Sequence, residues 1–298
     1  MTTPASRTSA RLLLAGALIA LAGARPAQAQ DETPVAPGDA STPHEPLPLW
    51  EVGLVGIGAY QPAYPGSDKD IARARVLPYA VYRGPVLRMD GDGIGVRAFR
   101  TPRFEWDVSA SAAFGSSANQ VPAREGMPSI GTLGEIGPAL KINLGDLVDA
   151  SRDPRKTQLE LPVRAVFEAS HGVRREGWTF EPRVTHTAWQ GGTASVVLTA
   201  SALFGDKRLN HLYYGVDAPY ATPDRPQYDA KAGLVATRLG VSLRQRLTSS
   251  LRLQWFAQVE SVAGAANEDS PLVRKKQDAG FGVSLVWGAW QSTETGTE

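Results

Sequence analysis

From residue 50 onward, apolar and polar side chains alternate with a period of two. In residues 104–114 one face carries Phe104, Trp106, Val108, Ala110, Ala112 and Phe114, and the other Glu105, Asp107, Ser109, Ser111 and Ala113. The same split recurs. Leu159, Leu161, Val163, Ala165 and Phe167 oppose Gln158, Glu160, Arg164 and Glu168; Trp178, Phe180 and Val184 oppose Thr179, Glu181 and Arg183; Leu251, Leu253, Trp255 and Val259 oppose Arg252, Gln254 and Glu260. Successive side chains of a strand point to opposite faces, so each segment predicts a strand with one apolar and one polar face. These strands are longer than the about 5–6 residues usual in soluble sheets. They reach the about 9–11 residues that a tilted strand needs to cross a bilayer.

Turn residues punctuate the strands. The segment Asp90-Gly91-Asp92-Gly93 is a hairpin signal, and Thr101-Pro102-Arg103, Gly191-Gly192 and Thr248-Ser249-Ser250 are tight connections. Strands are expected near 50–60, 74–82, 86–90, 93–100, 104–115, 133–144, 157–169, 178–190, 192–204, 228–246, 251–262 and 277–290. The prediction is an all-β protein, a transmembrane antiparallel β-barrel of about twelve strands, with ten as the alternative. The long polar linkers 61–73, 116–132, 205–227 and 263–276 then fall at one end, the outer one, and most short turns at the other. The connection 145–156 is long and falls on the periplasmic side. Aromatic residues gather near strand ends, at Trp50, Tyr60, Tyr82, Phe104, Phe114, Trp178, Trp189, Trp287 and Trp290, as interfacial girdles do.

The N-terminus changes the picture from a barrel to an exported barrel. Arg7 and Arg11 precede an apolar run over 12–22, and Ala27-Gln28-Ala29 has the form of a cleavage site, so residues 1–29 read as a signal peptide. Residues 30–48 carry five prolines among Asp, Glu, Ser and Thr, and read as a leader without a fold of its own. The barrel is expected over 49–290, followed by a polar tail over 291–298. These segments predict residence in the outer membrane of a Gram-negative cell, in contact with lipid and lipopolysaccharide.

Composition removes other classes. With 31 basic and 30 acidic residues the chain lacks the basic excess of a nucleic-acid binder. It has no cysteine, which excludes disulfides, thiolate metal sites and cysteine catalysis. His44, His171, His186 and His211 show no metal-ligand spacing. The stretch Gly93-Ile94-Gly95-Val96-Arg97-Ala98 mimics a dinucleotide fingerprint, but no helical pattern follows it. No catalytic residue, cofactor or metal site is expected. The residues expected to face the lumen are Glu105, Asp107, Glu135, Lys141, Glu160, Arg164, Glu168, Glu181, Arg183, Arg252 and Glu260. Both signs occur, so they are expected to pair across the interior and to let it conduct poorly.

An ordered set of segments resembles the MltA-interacting protein (MipA/OmpV) family of outer-membrane proteins. It begins at Trp50 and continues through Tyr64-Pro65-Gly66-Ser67-Asp68, Leu77-Pro78-Tyr79-Ala80-Val81-Tyr82-Arg83-Gly84 and Leu212-Tyr213-Tyr214-Gly215-Val216. It ends with Tyr228-Asp229-Ala230-Lys231-Ala232-Gly233-Leu234 and Ser270-Pro271-Leu272-Val273. The resemblance implies a barrel without catalysis. It further implies a scaffold for cell-wall enzymes, bridging a lytic transglycosylase and a bifunctional murein synthase. Family members also resemble adhesins and stress- or antibiotic-response proteins. A narrow channel for small solutes or antibiotics, and a surface adhesin or receptor, are the alternatives. The loop residues Tyr64, Gly66, Ser67, Asp68, Ser270 and Pro271 are turn chemistry first. Outer-membrane barrels commonly end on an aromatic residue, whereas the last aromatic here is Trp290, followed by the polar tail 291–298.

Overall fold

The computed structural model describes residues 49–83, 87–90, 93–101, 103–113, 121–145, 157–168 and 173–294, several strands between 77 and 113 by their backbone alone. The expected signal peptide and leader, most of the connection 145–156, His44 and His171 lie outside the described residues.

Among the described residues the alternation becomes thirteen strands. They are β1 (Trp50–Pro62), β2 (Asp70–Arg83), β3 (Leu87–Asp90), β4 (Gly93–Arg100), β5 (Phe104–Ala113), β6 (Leu133–Asn143) and β7 (Thr157–Glu168). After them come β8 (Arg174–Phe180), β9 (Arg183–Gly191), β10 (Ala194–Gly205), β11 (Gly233–Arg246), β12 (Leu251–Ser261) and β13 (Gln277–Gln291). Every pairing is antiparallel, and β1 pairs with β2 on one side and β13 on the other. Neighbour follows neighbour from β2 through β7, and β10 pairs with β11, β11 with β12 and β12 with β13. The order of pairing therefore returns to β1.

The expected single strand over 178–190 is a correction. It begins earlier, at Arg174, and is broken after Phe180 into β8 and β9, which share one station between β7 and β10. Pro182 sits at the break and has no N–H for the ladder. On β7 the Pro162 carbonyl accepts from the adjacent Glu181 N–H at 3.3 Å, while the Pro182 carbonyl accepts from Ala202 N–H at 3.1 Å. Side-chain parity survives the break, with Thr179, Glu181, Arg183 and Thr185 on one face. The register Asp90↔Gly93 leaves two residues for the turn, as the hairpin signal predicts. Residues 93–98 lie in β4, which fits no dinucleotide fold.

The polarity of the sheet is inverted relative to a soluble protein. All seven tryptophans are exposed, between 40% and 68% of their surface. Leu54, Ile136, Leu198, Val241 and Phe281 share that outward face. The opposite face buries Glu51, Glu160, Arg164, Arg244, Arg252 and Glu260. Tryptophan is largely buried in soluble folds, and Glu and Arg almost never are unless paired. On the apolar face Thr157 Oγ1 and His186 Nδ1 lie 2.8 Å apart. His186 is thus a partnered strand residue.

A buried apolar cluster is present, but at one end. It gathers Tyr64, Val121, Ile130, Leu209, Tyr214, Val216 and Leu272 from the connections after β1, β5, β10 and β12. The expected polar linker 205–227 contains a helix, α1 (Lys207–Tyr214). Asp206 caps it, accepting from Leu209 N–H at 2.9 Å, and the Gly215 N–H closes its last turn on His211 O. Gly177 in β8 makes room for this cap, since a Cβ there would stand 2.3 Å from Asp206 Oδ1. No helix among the described residues is long and apolar enough to cross a membrane, which says nothing about strands.

Candidate functional site

The polar face carries a belt of charges whose order follows from strand register. Reading across paired residues, Asp278 faces Glu260, Glu260 faces Arg238, Arg238 faces Ser201 and Ser201 faces Arg183. Arg183 then faces Glu160, Glu160 faces Lys141 and Lys141 faces Glu105. Directly paired residues share a face, so one row collects charges from strand after strand. Opposite signs adjoin along most of it.

Side chains close the contacts. Arg238 Nε donates to Glu260 at 2.6 Å, and its Nη1 to Glu181 at 3.2 Å. Glu181 also accepts from Arg183 Nη2 at 3.0 Å and from the Ser201 hydroxyl at 3.1 Å. Arg183 lies 3.9 Å from Glu160; Arg164 lies 3.7 Å from Glu160 and 3.8 Å from Glu135. Lower on the same face Arg252 pairs with Glu51. The structure thus brings Glu135, Glu160, Arg164, Glu181, Arg183 and Glu260 into one network and sets Glu105 and Lys141 in its row. Glu168 is buried under the loop before β6, where a Cβ on Gly131 would lie 2.0 Å from its Oε1. Asp107 falls in β5, but its side chain lies outside the described residues. The described contacts run within a strand, as from Arg164 to Glu160, to a neighbouring strand, as from Arg238 to Glu260, or past one strand, as from Arg252 on β12 to Glu51 on β1. The reading of the sequence missed Arg238, Glu51 and Arg244. The signal for Arg238 and Arg244 was present, since both alternate with Leu239, Val241 and Leu243 in β11.

Above the belt the long loops interlock. The Tyr64 hydroxyl donates to Leu272 O at 2.8 Å, and the Tyr214 hydroxyl to Pro65 O at 3.1 Å. The Ser270 hydroxyl donates to Tyr214 O at 2.8 Å. Gly66, at φ 87°, presents its carbonyl to the N–H groups of Arg274 and Lys275 and lies under Val273. Ser67 is buried in the same turn, its hydroxyl accepting from Lys69 N–H, with Asp68 exposed beside it. Two arginines bolt loops together through carbonyls rather than carboxylates. Arg124 donates to Tyr213 O and Pro128 O, and Arg225 to Ala123 O, Glu125 O and Tyr220 O. The segments around Tyr64, Tyr214, Tyr228 and Ser270, far apart in sequence, meet in this cap.

The cap is also coupled to the belt. The Tyr213 phenol is pushed well up by burial first, and then by the carboxylate of Glu135, with Arg238 and Glu260 also within electrostatic reach. Burial likewise raises Tyr214, and lifts Tyr64 to about 12. A tyrosine whose folded pKa is raised supplies stability in full below its unfolded value near 10. That stability is lost as pH climbs through the folded value. The cap is therefore expected to hold to pH 10 and to open on approach to pH 12. Tyrosinate absorbance followed with pH should show these tyrosines ionising late and together; three independent titrations near pH 10 would contradict the cap's burial.

His211 Nε2 lies 3.2 Å from Asp217 Oδ1 at the surface, and no group of three His, Cys, Asp or Glu among the described residues could hold a metal ion. The belt supplies electrostatics and hydrogen bonding.

No curated protein matches the chain. Among solved structures it is similar to an outer membrane channel from Pseudomonas putida F1, at TM-score 0.40 and 13% identity over 85% of this chain and 99% of that one. It is also similar to the NanC porin, at TM-score 0.38 and 10% identity over 78% and 98%, and to the CymD monoaromatic hydrocarbon channel, at 0.36 and 10% over 84% and 90%. The model of the MltA-interacting protein MipA family matches residues 54–289, and the chain belongs to that family.

Proposed function

We propose that this chain is a non-enzymatic outer-membrane barrel, roofed at its outer end, that serves as a membrane-embedded partner for murein enzymes. The observation that carries the barrel reading is the inverted polarity: seven tryptophans outward, a belt of ion pairs inward. Lipid accepts that outer face, and a ring of antiparallel pairings leaves no strand edge unsatisfied in it. Twelve stations in the ring, with β8 and β9 as one, suit strands of 10–15 residues at most positions. The long loops belong outside and the short turns in the periplasm, by the asymmetry of such barrels. Lipid and lipopolysaccharide are then its surroundings.

The interlocked cap favours a scaffold over an open channel, and over an adhesin with free loops. The family's name, MltA-interacting protein, supports a murein enzyme as the partner; the resemblance implies a lytic transglycosylase, with a bifunctional murein synthase as the enzyme bridged to it. Contacts would come from the periplasmic connection 145–156 and the leader 30–48.

Fractionation with unheated gel electrophoresis tests the barrel, and a heat-modifiable band in the outer-membrane fraction is expected. A freely soluble periplasmic chain would defeat it. Detergent-solubilised protein should then retain a purified lytic transglycosylase on an affinity column, and lose it on deletion of 146–156. Retention of neither transglycosylase nor synthase would end the scaffold reading and leave the barrel standing.

A further inference from the structure

A register shift at the outer end of β8 turns one arginine onto the apolar face. Along this strand Trp178 and Phe180 pair with Ala165 and Val163 and point outward. Strict alternation would send Glu176 outward with them and Arg175 inward. The ladder instead shifts between Val166 and Phe167, so that Gly177 pairs with Val166 and Arg175 with Phe167. Glu176 is the extra residue of this bulge, and bulges re-aim the side chains around them. Arg175 thereby joins the outward face, where its guanidinium lies 4.8 Å from the centre of the Trp178 ring. Glu176 is buried, accepting from Arg174 Nε at 2.5 Å and lying 3.8 Å from Arg208 Nε of α1.

We propose that this outward rim of β7 and β8 binds a lipid A phosphate of lipopolysaccharide, with Arg175 as the donor and the strand face below it as the seat of an acyl chain. The inference rests on the barrel reading, which puts the rim at the outer leaflet.

The charge of the rim supports an anion. The carboxylates of Glu168 and Glu176 are buried, whereas Arg174, Arg175 and Arg208 are exposed. Among the described residues no carboxylate bonds Arg175, whose contact is the indole of Trp178. The connection 169–172, Ala-Ser-His-Gly, contains no acid. The rim therefore presents guanidinium donors with its acids beneath them. A guanidinium fork matches phosphate oxygens in geometry and charge, and stacking on a ring holds the fork in place.

Depth selects the rest of the ligand. Tryptophan sits at headgroup level in a membrane. Below Arg175 the outward face continues as Trp178, Phe180 and Val163, each between 39% and 42% exposed. The occupant thus carries a phosphate at headgroup depth and hydrocarbon under it. Lipid A has both, whereas a soluble phosphate has only the first.

Native mass spectrometry on the full-length protein, purified from outer membranes into detergent and heat-modifiable, tests this. Bisphosphorylated lipid A should bind saturably, and fully dephosphorylated lipid A at least about tenfold more weakly. Excess inorganic phosphate should not displace the lipid. The R175Q variant should lose about tenfold for bisphosphorylated lipid A. K276Q, which removes an exposed cation from a different loop, should bind as the parent does. W178L keeps an apolar side chain but removes the indole face, and should show a smaller loss than R175Q. Equal binding of the dephosphorylated lipid, displacement by inorganic phosphate, R175Q at parental affinity, or an equal loss in K276Q would overturn the site. A chain that is not heat-modifiable fails the barrel reading, whereas a folded barrel without this preference fails the present inference alone.

Discussion

The Arg238→Ala variant is expected to lose about 3 kcal/mol of unfolding free energy, more than loss of any other single belt residue. Arg238 joins two carboxylates on different strands, Glu260 at 2.6 Å and Glu181 at 3.2 Å. Removing it leaves Glu260, nearly fully buried, without that partner. A broken buried pair costs about 3–5 kcal/mol, because the remaining charge keeps its desolvation penalty and loses its compensation. The low end applies because a quarter of the Arg238 side chain still meets solvent. Glu181 keeps Arg183 and Ser201, which limits the damage further. Urea unfolding in detergent should show a lower midpoint at an unchanged slope. The charge-free double variant Arg238→Met with Glu260→Met should lose less than the single, because it removes both charges together. A single variant as stable as the parent would mean that the belt does not hold the strands.

The Tyr214→Ala variant is expected to open the cap and leave the barrel intact. Tyr214 is 1% exposed and is the largest fully buried side chain among the described residues. Its hydroxyl ties α1 to the loop after β1, and its carbonyl receives Ser270 from the loop before β13. Truncating a buried aromatic costs about 3–5 kcal/mol, here drawn from the loops rather than from the ladders. Tyr214→Phe keeps the ring and loses one hydrogen bond, about 1 kcal/mol. Planar-bilayer recording separates the two. The parent and Tyr214→Phe should give no large steady steps, and Tyr214→Ala should give them, with limited proteolysis now cutting between 206 and 232. A heat-modifiable band retained by all three assigns the change to the cap. If the parent itself conducts in large steps, the loops do not roof the interior.

Particular residues show what each level of information holds. The outward set in β12, Leu251, Leu253, Trp255, Ala257 and Val259, is written directly in the sequence, because a period of two has one geometric meaning. Glu181 and Arg183 were likewise visible as same-face charges. Their partner Arg238 escaped because β11 was read for its length and not divided into faces. The break at Pro182 was legible in principle from the missing N–H, yet a proline within a run does not say whether a strand stops or only skips a bond. Helix α1 was missed because eight residues, Lys207-Arg208-Leu209-Asn210-His211-Leu212-Tyr213-Tyr214, lie too short and too polar for a periodic signal against loop surroundings.

The amino-acid order alone determined the alternation, hence the strands, the two faces of opposite polarity and the sidedness of long and short connections. These follow from bonds and dihedrals within one segment, so nothing distant is needed to read them. Register, and with it the choice of which glutamate meets which arginine, came only from the fold. A partner two strands away is set by where each ladder starts, and the spacing along the chain does not contain that. The cap was decided there too. Tyr64, Tyr214 and Ser270 are turn and loop residues in the sequence, and become a buried core only because strands more than a hundred residues apart deliver their ends to the same place.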